Sequence, residues 1–264
     1  MTPGGGPAAG SFRVAGLDLA SQDARTAMAV LQWDSGRVTV RELGVGIGNR
    51  AIVEVATRVS VLGIDCPFGW PVAFTDLMVA QRAGTVKPET AADAPSRRRL
   101  AYRRTDAVVR ERTGRWPLSV SADKIAYPAM RCAGLLATLS AQGHPVRRSG
   151  IGSKVAEVYP AAALARWRLA VPGYKLDGPG LPFAVQALTQ AAPWLELGEH
   201  DGMCRHSHDA FDAVIAGLVA GAVQLGRVEA VPEEDRQVAD EEGWIHLPDT
   251  DFLDSPRFGV IDVH

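Results

Sequence analysis

The chain has 264 residues, 47% apolar and 22% charged, a balance that excludes a disordered polymer and supplies a sizeable core. No 18-residue apolar stretch is free of charge, which argues against a transmembrane helix. The three cysteines (Cys66, Cys132, Cys204) are odd in number and widely spaced, which argues for a reducing, cytoplasmic setting. The net charge of −2 argues against a non-specific nucleic-acid binder, yet it hides segregation. Residues 96–115 hold eight Arg against Asp106 and Glu111, while residues 229–254 hold ten acids and one Arg.

Residues 1–11 read as a flexible leader, lacking the basic start and apolar run of a signal peptide. FRVAGLDLA (12–20), ARTAMAVLQW (24–33) and VTVREL (38–43) read as three strands, the last two joined by a turn at Asp34-Ser35-Gly36. Residues 49–59 have helical spacing behind Asn49. VSVLGID (59–65) is a buried strand stopped at Cys66-Pro67. Helices are predicted over 73–81, 97–112 and 129–141, with a loop at 113–128. SKVAEVY (153–159) is a strand cut by Pro160. Helices follow over 163–170 and 181–191, and a long Ala-rich helix over 208–225. With no repeat period and no clear linker, one α/β domain over 12–248 accounts for the pattern. It carries a helical insert around 73–150, and a C-terminal tail follows over 249–264.

Five carboxylates stand at informative places. Asp18 ends the first strand, Asp65 ends a later one, and Glu157 lies in a third. Asp209 and Asp212 open the last long helix, three residues apart and therefore on one face. Lone carboxylates at the ends of buried strands are costly. Gathered at one rim of a sheet they repel one another unless a cation neutralises them. All-oxygen donors select Mg²⁺ or Mn²⁺, and a pair of such ions suits phosphodiester hydrolysis. Singly, each acid has a plainer reading as a turn or helix-start residue.

The segments LDLAS, GIDCPFGWP, RRTD, VVRE, SVSADKIAYP, VAEVYPAAAL, HDAFDAVIAGLVA and EEGWIHLP occur in that order. Their succession over roughly 12–248 resembles the predicted RNase H-like nuclease family filed as domain of unknown function 429. The helix start is also similar to the acid pair of RuvC-like resolvases. Two positions depart from the family pattern: Tyr159 stands where His is common, and His208 replaces a first acid. The resemblance implies an RNase H-like fold, a mixed central sheet with helices on both faces. It further implies that Asp18, Asp65, Asp209 and Asp212 hold one or two Mg²⁺ or Mn²⁺ ions, that Glu157 completes the shell or orients water, and that nucleic acid is the substrate.

Among the remaining polar residues, Arg103, Arg104 and Arg110 are candidates for phosphate contact, or else salt-bridging neighbours on a solvated face. Lys124 is a candidate for an anionic substrate, or a plain surface lysine. His208 is a candidate general acid, or a cap-region residue. Cys204, His206 and His208 lack the second Cys/His pair of a zinc site. Two competing functions are a small-molecule kinase or ATPase on the related actin-like fold, for which the chain lacks a second phosphate loop, and a non-catalytic binding scaffold.

Overall fold

The computed structural model describes residues 11–176 and 178–254. The first ten residues of the expected leader and the last ten of the expected tail lie outside them. β1 (Phe12–Asp18), β2 (Ala27–Asp34) and β3 (Arg37–Val45) pair antiparallel in succession. β4 (Val61–Asp65) pairs parallel to β1 on its other side, and β5 (Val155–Glu157) parallel to β4. β6 (Leu195–Glu196) adds a short parallel edge beside β3, so the sheet order is β5-β4-β1-β2-β3-β6. This is the mixed α/β sheet expected of an RNase H-like fold.

The helices are α1 (Asn49–Ala56), α2 (Val72–Ala83), α3 (Ala94–Ala101), α4 (Arg104–Thr113), α5 (Ala126–Ala141), α6 (Pro160–Arg166), α7 (Gly180–Ala191), α8 (Asp201–His206), α9 (His208–Gln224) and α10 (Arg236–Glu242). Among the described residues none is long and apolar enough to cross a membrane.

Strand alternation divides the core into two layers. Ala15, Leu17, Leu62 and Ile64 pack against Ile52 and Val55 of α1 and Cys132, Leu135 and Leu139 of α5. Val14, Val61 and Ala156 face the other way, against α6, α7 and α9. Every residue of α9 from Asp209 to Ala222 is buried, the pattern of a helix enclosed on all sides. It lies directly on the sheet because the strands beneath it carry no side chain where it crosses. Gly16 and Gly63 are partners in register on β1 and β4. A Cβ built on Gly16 would stand 2.0 Å from the Gly217 amide nitrogen, and one on Gly63 would stand 2.7 Å from the Ala216 carbonyl oxygen.

The insert differs from expectation at one place. The single helix predicted over 97–112 is two, α3 and α4, broken at Tyr102 and Arg103. Arg103 adopts an extended backbone and Asp106 accepts its amide at 2.9 Å, so the break turns the guanidinium inward. The acidic stretch after α9 packs into the fold. Trp244, Ile245 and Leu247 are buried, and Ile245 forms a parallel bridge to Glu157. Phe252 and Leu253 join the main core, so packed chain continues past the boundary expected at 248.

Candidate metal centre

Asp18 and Asp65 are Cα partners in register at the C-terminal ends of β1 and β4. Alternation puts Asp18 on the same side as Val14 and Gly16, and Asp65 on the same side as Val61 and Gly63, which is the side covered by α9. The close seat of α9 on the glycines brings its first turn over this edge. Ser207 caps that turn, its hydroxyl accepting the Ala210 amide at 3.2 Å. Donor atoms of Asp18, His208 and Asp209 all lie within 4.8 Å of one another. Donors on opposite sides of an ion with bonds of ~2.1 Å lie ~4.2 Å apart, so modest tightening closes this group around one cation.

Glu157 is not part of this group, and register explains why. Its partner is Ile64, whose side chain faces α1 and α5, so Glu157 projects to the opposite side of the sheet from Asp18 and Asp65. There the Arg103 guanidinium takes both carboxylate oxygens, at 2.8 and 3.0 Å, and the Phe68 amide donates a further bond at 3.0 Å. Asp106 binds the same guanidinium at 2.9 Å, and all three side chains are almost fully buried. Burial pushes the Glu157 carboxyl up, while Arg103 opposes that shift.

The acids facing α9 have cationic partners as well. Arg25 donates from Nε and Nη2 to Asp209 at 2.9 and 3.2 Å, and His208 Nδ1 stands 2.9 Å from Asp209 Oδ1. Asp212, wholly buried, accepts the Tyr174 hydroxyl at 2.9 Å and pairs with the Lys175 ammonium. Burial alone would lower the Lys175 pKa, but Asp212 and Asp65 hold it well above the ordinary lysine value. The carboxylates remain under-compensated. Burial, then Asp65 and Asp212, push Asp18 up to about 9. Burial pushes Asp65 up to about 7 against the opposing pull of Lys175.

A cavity of about 550 Å³ opens beside Asp18 and Asp65. Its walls include Leu118, Ile125, Tyr159, Arg115, Tyr174 and Lys175. Of the arginines read as phosphate contacts, Arg103 reaches this cavity, but Glu157 and Asp106 occupy its guanidinium. Arg104 binds Asp235 at 2.9 Å. Arg110 and Lys124 are exposed and are not among the cavity's lining residues.

Arg25, Tyr174, Lys175 and Arg115 are site residues that sequence reasoning did not single out. The signals were slight: Lys175 is one of four lysines in the chain, set in the Gly- and Pro-containing segment PGYKLDGPG.

A family model described as "Protein of unknown function (DUF429)" matches residues 16–237. The chain belongs to the DUF429 family. The matched span of this DUF429 protein holds all five carboxylates together with Arg103 and Lys175. No curated protein and no solved structure matches the chain.

Proposed function

We propose that this DUF429 protein is a Mg²⁺- or Mn²⁺-dependent hydrolase of nucleic-acid phosphodiesters. The carrying observation is the register pair Asp18 and Asp65 at the ends of two central parallel strands, with Asp209 and Asp212 brought over the same edge by α9. The donor set fits the ion. Asp18 and Asp209 offer hard oxygens and His208 an imidazole nitrogen, a mixture Mn²⁺ accepts alongside Mg²⁺. The raised pKa of Asp18 marks negative charge that the local cations do not fully balance.

When bound, the ion supplies a water of lowered pKa and positive charge for the developing oxyanion. The chain's own residues do the rest. Asp18, Asp209 and His208 hold the ion, and Asp65 and Asp212 extend the acidic edge. The Lys175 ammonium, anchored on Asp212, presents a fixed positive charge to an incoming phosphate. Glu157, paired with Arg103, braces the cavity wall. The three cysteines are free and buried, and on that ground we assign the protein to the cytoplasm.

The test is calorimetric titration of Mn²⁺ into the native chain and the Asp18→Asn, Asp209→Asn double variant, followed by a cleavage screen of single-stranded, duplex and branched DNA and RNA. Loss of binding together with loss of cleavage in the variant is expected. Unchanged binding would sink the metal centre, and ATP hydrolysis without nucleic-acid cleavage would favour the kinase reading.

A further inference from the structure

We infer that the cavity beside the acidic edge is a recognition pocket for a single nucleotide unit, so the substrate presents one nucleotide at the end of a single strand, and not a continuous duplex. This rests on the hydrolase reading for the chemistry that follows binding, while the pocket itself stands on separate observations.

The first is size. About 550 Å³ lies in the middle of the roughly 300–1,000 Å³ range of pockets that enclose a small organic ligand. A duplex, in contrast, is bound across an open surface burying ~1,000 Å² or more of protein. The second is wall chemistry. Leu118 and Ile125 supply apolar surface, and Tyr159 supplies an aromatic face of the kind on which bases stack. Leu118 is 46% exposed, so its side chain is open to a ligand entering the cavity.

The third is a charge without a use. Arg115 lines this cavity, and among the described residues its guanidinium has no hydrogen bond or ion pair. Most other arginines of the basic insert are engaged. Arg97 donates to the Ala91 and Ala92 carbonyls, Arg98 lies over Trp116, and Arg103, Arg104 and Arg112 pair with acids. An unpaired guanidinium in the wall of this cavity is complementary to a phosphate whose base packs on the apolar part of the lining. Lys175, on the acidic side of the same cavity, marks where the scissile phosphate would meet the metal centre.

The experiment titrates AMP and UMP into the native full-length chain in the presence of Mg²⁺. Linear single-stranded oligonucleotides and a covalently closed duplex serve as competitors. Saturable mononucleotide binding is expected, with the linear single strands competing at least tenfold better per nucleotide than the closed duplex. Arg115→Ala should weaken mononucleotide binding at least tenfold, consistent with loss of a charge-assisted contact. Leu118→Glu should abolish it by placing a like charge in the wall. Both residues are exposed, so thermal unfolding should not move. Absence of saturable mononucleotide binding, or equal competition by the closed duplex, overturns the pocket. The binding readout needs no turnover. Binding without cleavage therefore leaves the pocket standing and removes the hydrolase reading, whereas cleavage without mononucleotide binding does the reverse.

Discussion

Replacing Gly16 by alanine tests whether contact between β1 and α9 builds the proposed metal centre. The added methyl would stand 2.0 Å from the Gly217 nitrogen and 2.1 Å from the Ala213 oxygen, while ordinary contact begins at 3.4 Å. The helix must therefore retreat by 3.4 − 2.0 = 1.4 Å, or β1 must buckle by as much. Overpacking of side chains costs about 1–3 kcal/mol, and here backbone meets methyl, so the upper end applies. A loss of about 3 kcal/mol corresponds to a fall in Tm of roughly 6–12 °C for a chain of this size. The same retreat carries Asp209 away from Asp18. Sites of this kind tolerate displacements of only about 0.5 Å, so Mn²⁺ affinity should drop at least ~10-fold. The control is Gly134→Ala in the middle of α5, where nothing lies within 4 Å of the added carbon. It should stabilise the protein by up to about 1 kcal/mol through helix propensity. Thermal unfolding and calorimetric Mn²⁺ titration read both variants. A Gly16→Ala protein with native Tm and native Mn²⁺ affinity would refute the claim that this seam sets the site.

Three further outcomes are expected. Arg103→Met alone leaves Glu157 and Asp106 buried without their cation and should cost about 3–5 kcal/mol in denaturant unfolding, whereas combining it with Glu157→Met and Asp106→Leu should recover much of the loss. Failure of the triple variant to recover would show that the triad contributes more than charge balance. Asp18 and Asp65 have folded pKa values raised above their unfolded ones, so the stability they contribute is fully present below about 4 and is lost as pH rises. Without added metal, stability should therefore fall through about 7 and on to about 9, and Asp18→Asn should flatten the upper part of that slope; a native slope in the variant assigns the titration elsewhere. Tyr174→Phe removes the hydroxyl bonded to buried Asp212 and should cost about 1–3 kcal/mol, measured by the same unfolding curves. Unchanged stability would mean that Lys175 alone satisfies that carboxylate.

The strand succession was legible because two short periods write it plainly. Apolar runs around Val14 and Leu62 end in acids, and a turn at Asp34-Ser35-Gly36 closes the hairpin. Asp18 and Asp209 could be gathered from order along the chain, since helix spacing and strand ends are local properties, whereas His208, read as a general acid or a cap-region residue, was not read as a metal ligand. Glu157 shows where that reading stops. Its place in a strand is visible, but the side it faces depends on register with β4, which the strand's own residues do not encode. Lys175 and Arg115 were hidden for another reason. Both sit in irregular segments whose direction is set by distant packing, so a lysine or arginine there looks like any surface charge. The helix break at Arg103 has the same origin, because a partner 54 residues away outweighs local helix preference.

The pairing of the arginine-rich insert with the acidic stretch has a practical consequence for dissecting the protein. Glu242 accepts the amides of Val72 and Arg104, at 2.8 and 2.7 Å, Asp235 takes the Arg104 side chain, and Glu229 bridges Arg112 and Arg166. The family match stops at residue 237, inside α10, ahead of Glu242, Trp244 and Ile245. A fragment trimmed to that boundary would keep every carboxylate of the proposed metal centre. It would nonetheless lose six of the ten acids of 229–254, Glu242 among them, and uncover the flank of β5, giving a sticky, more cationic product. Spurious retention of nucleic acid by such a fragment would then say nothing about the intact protein.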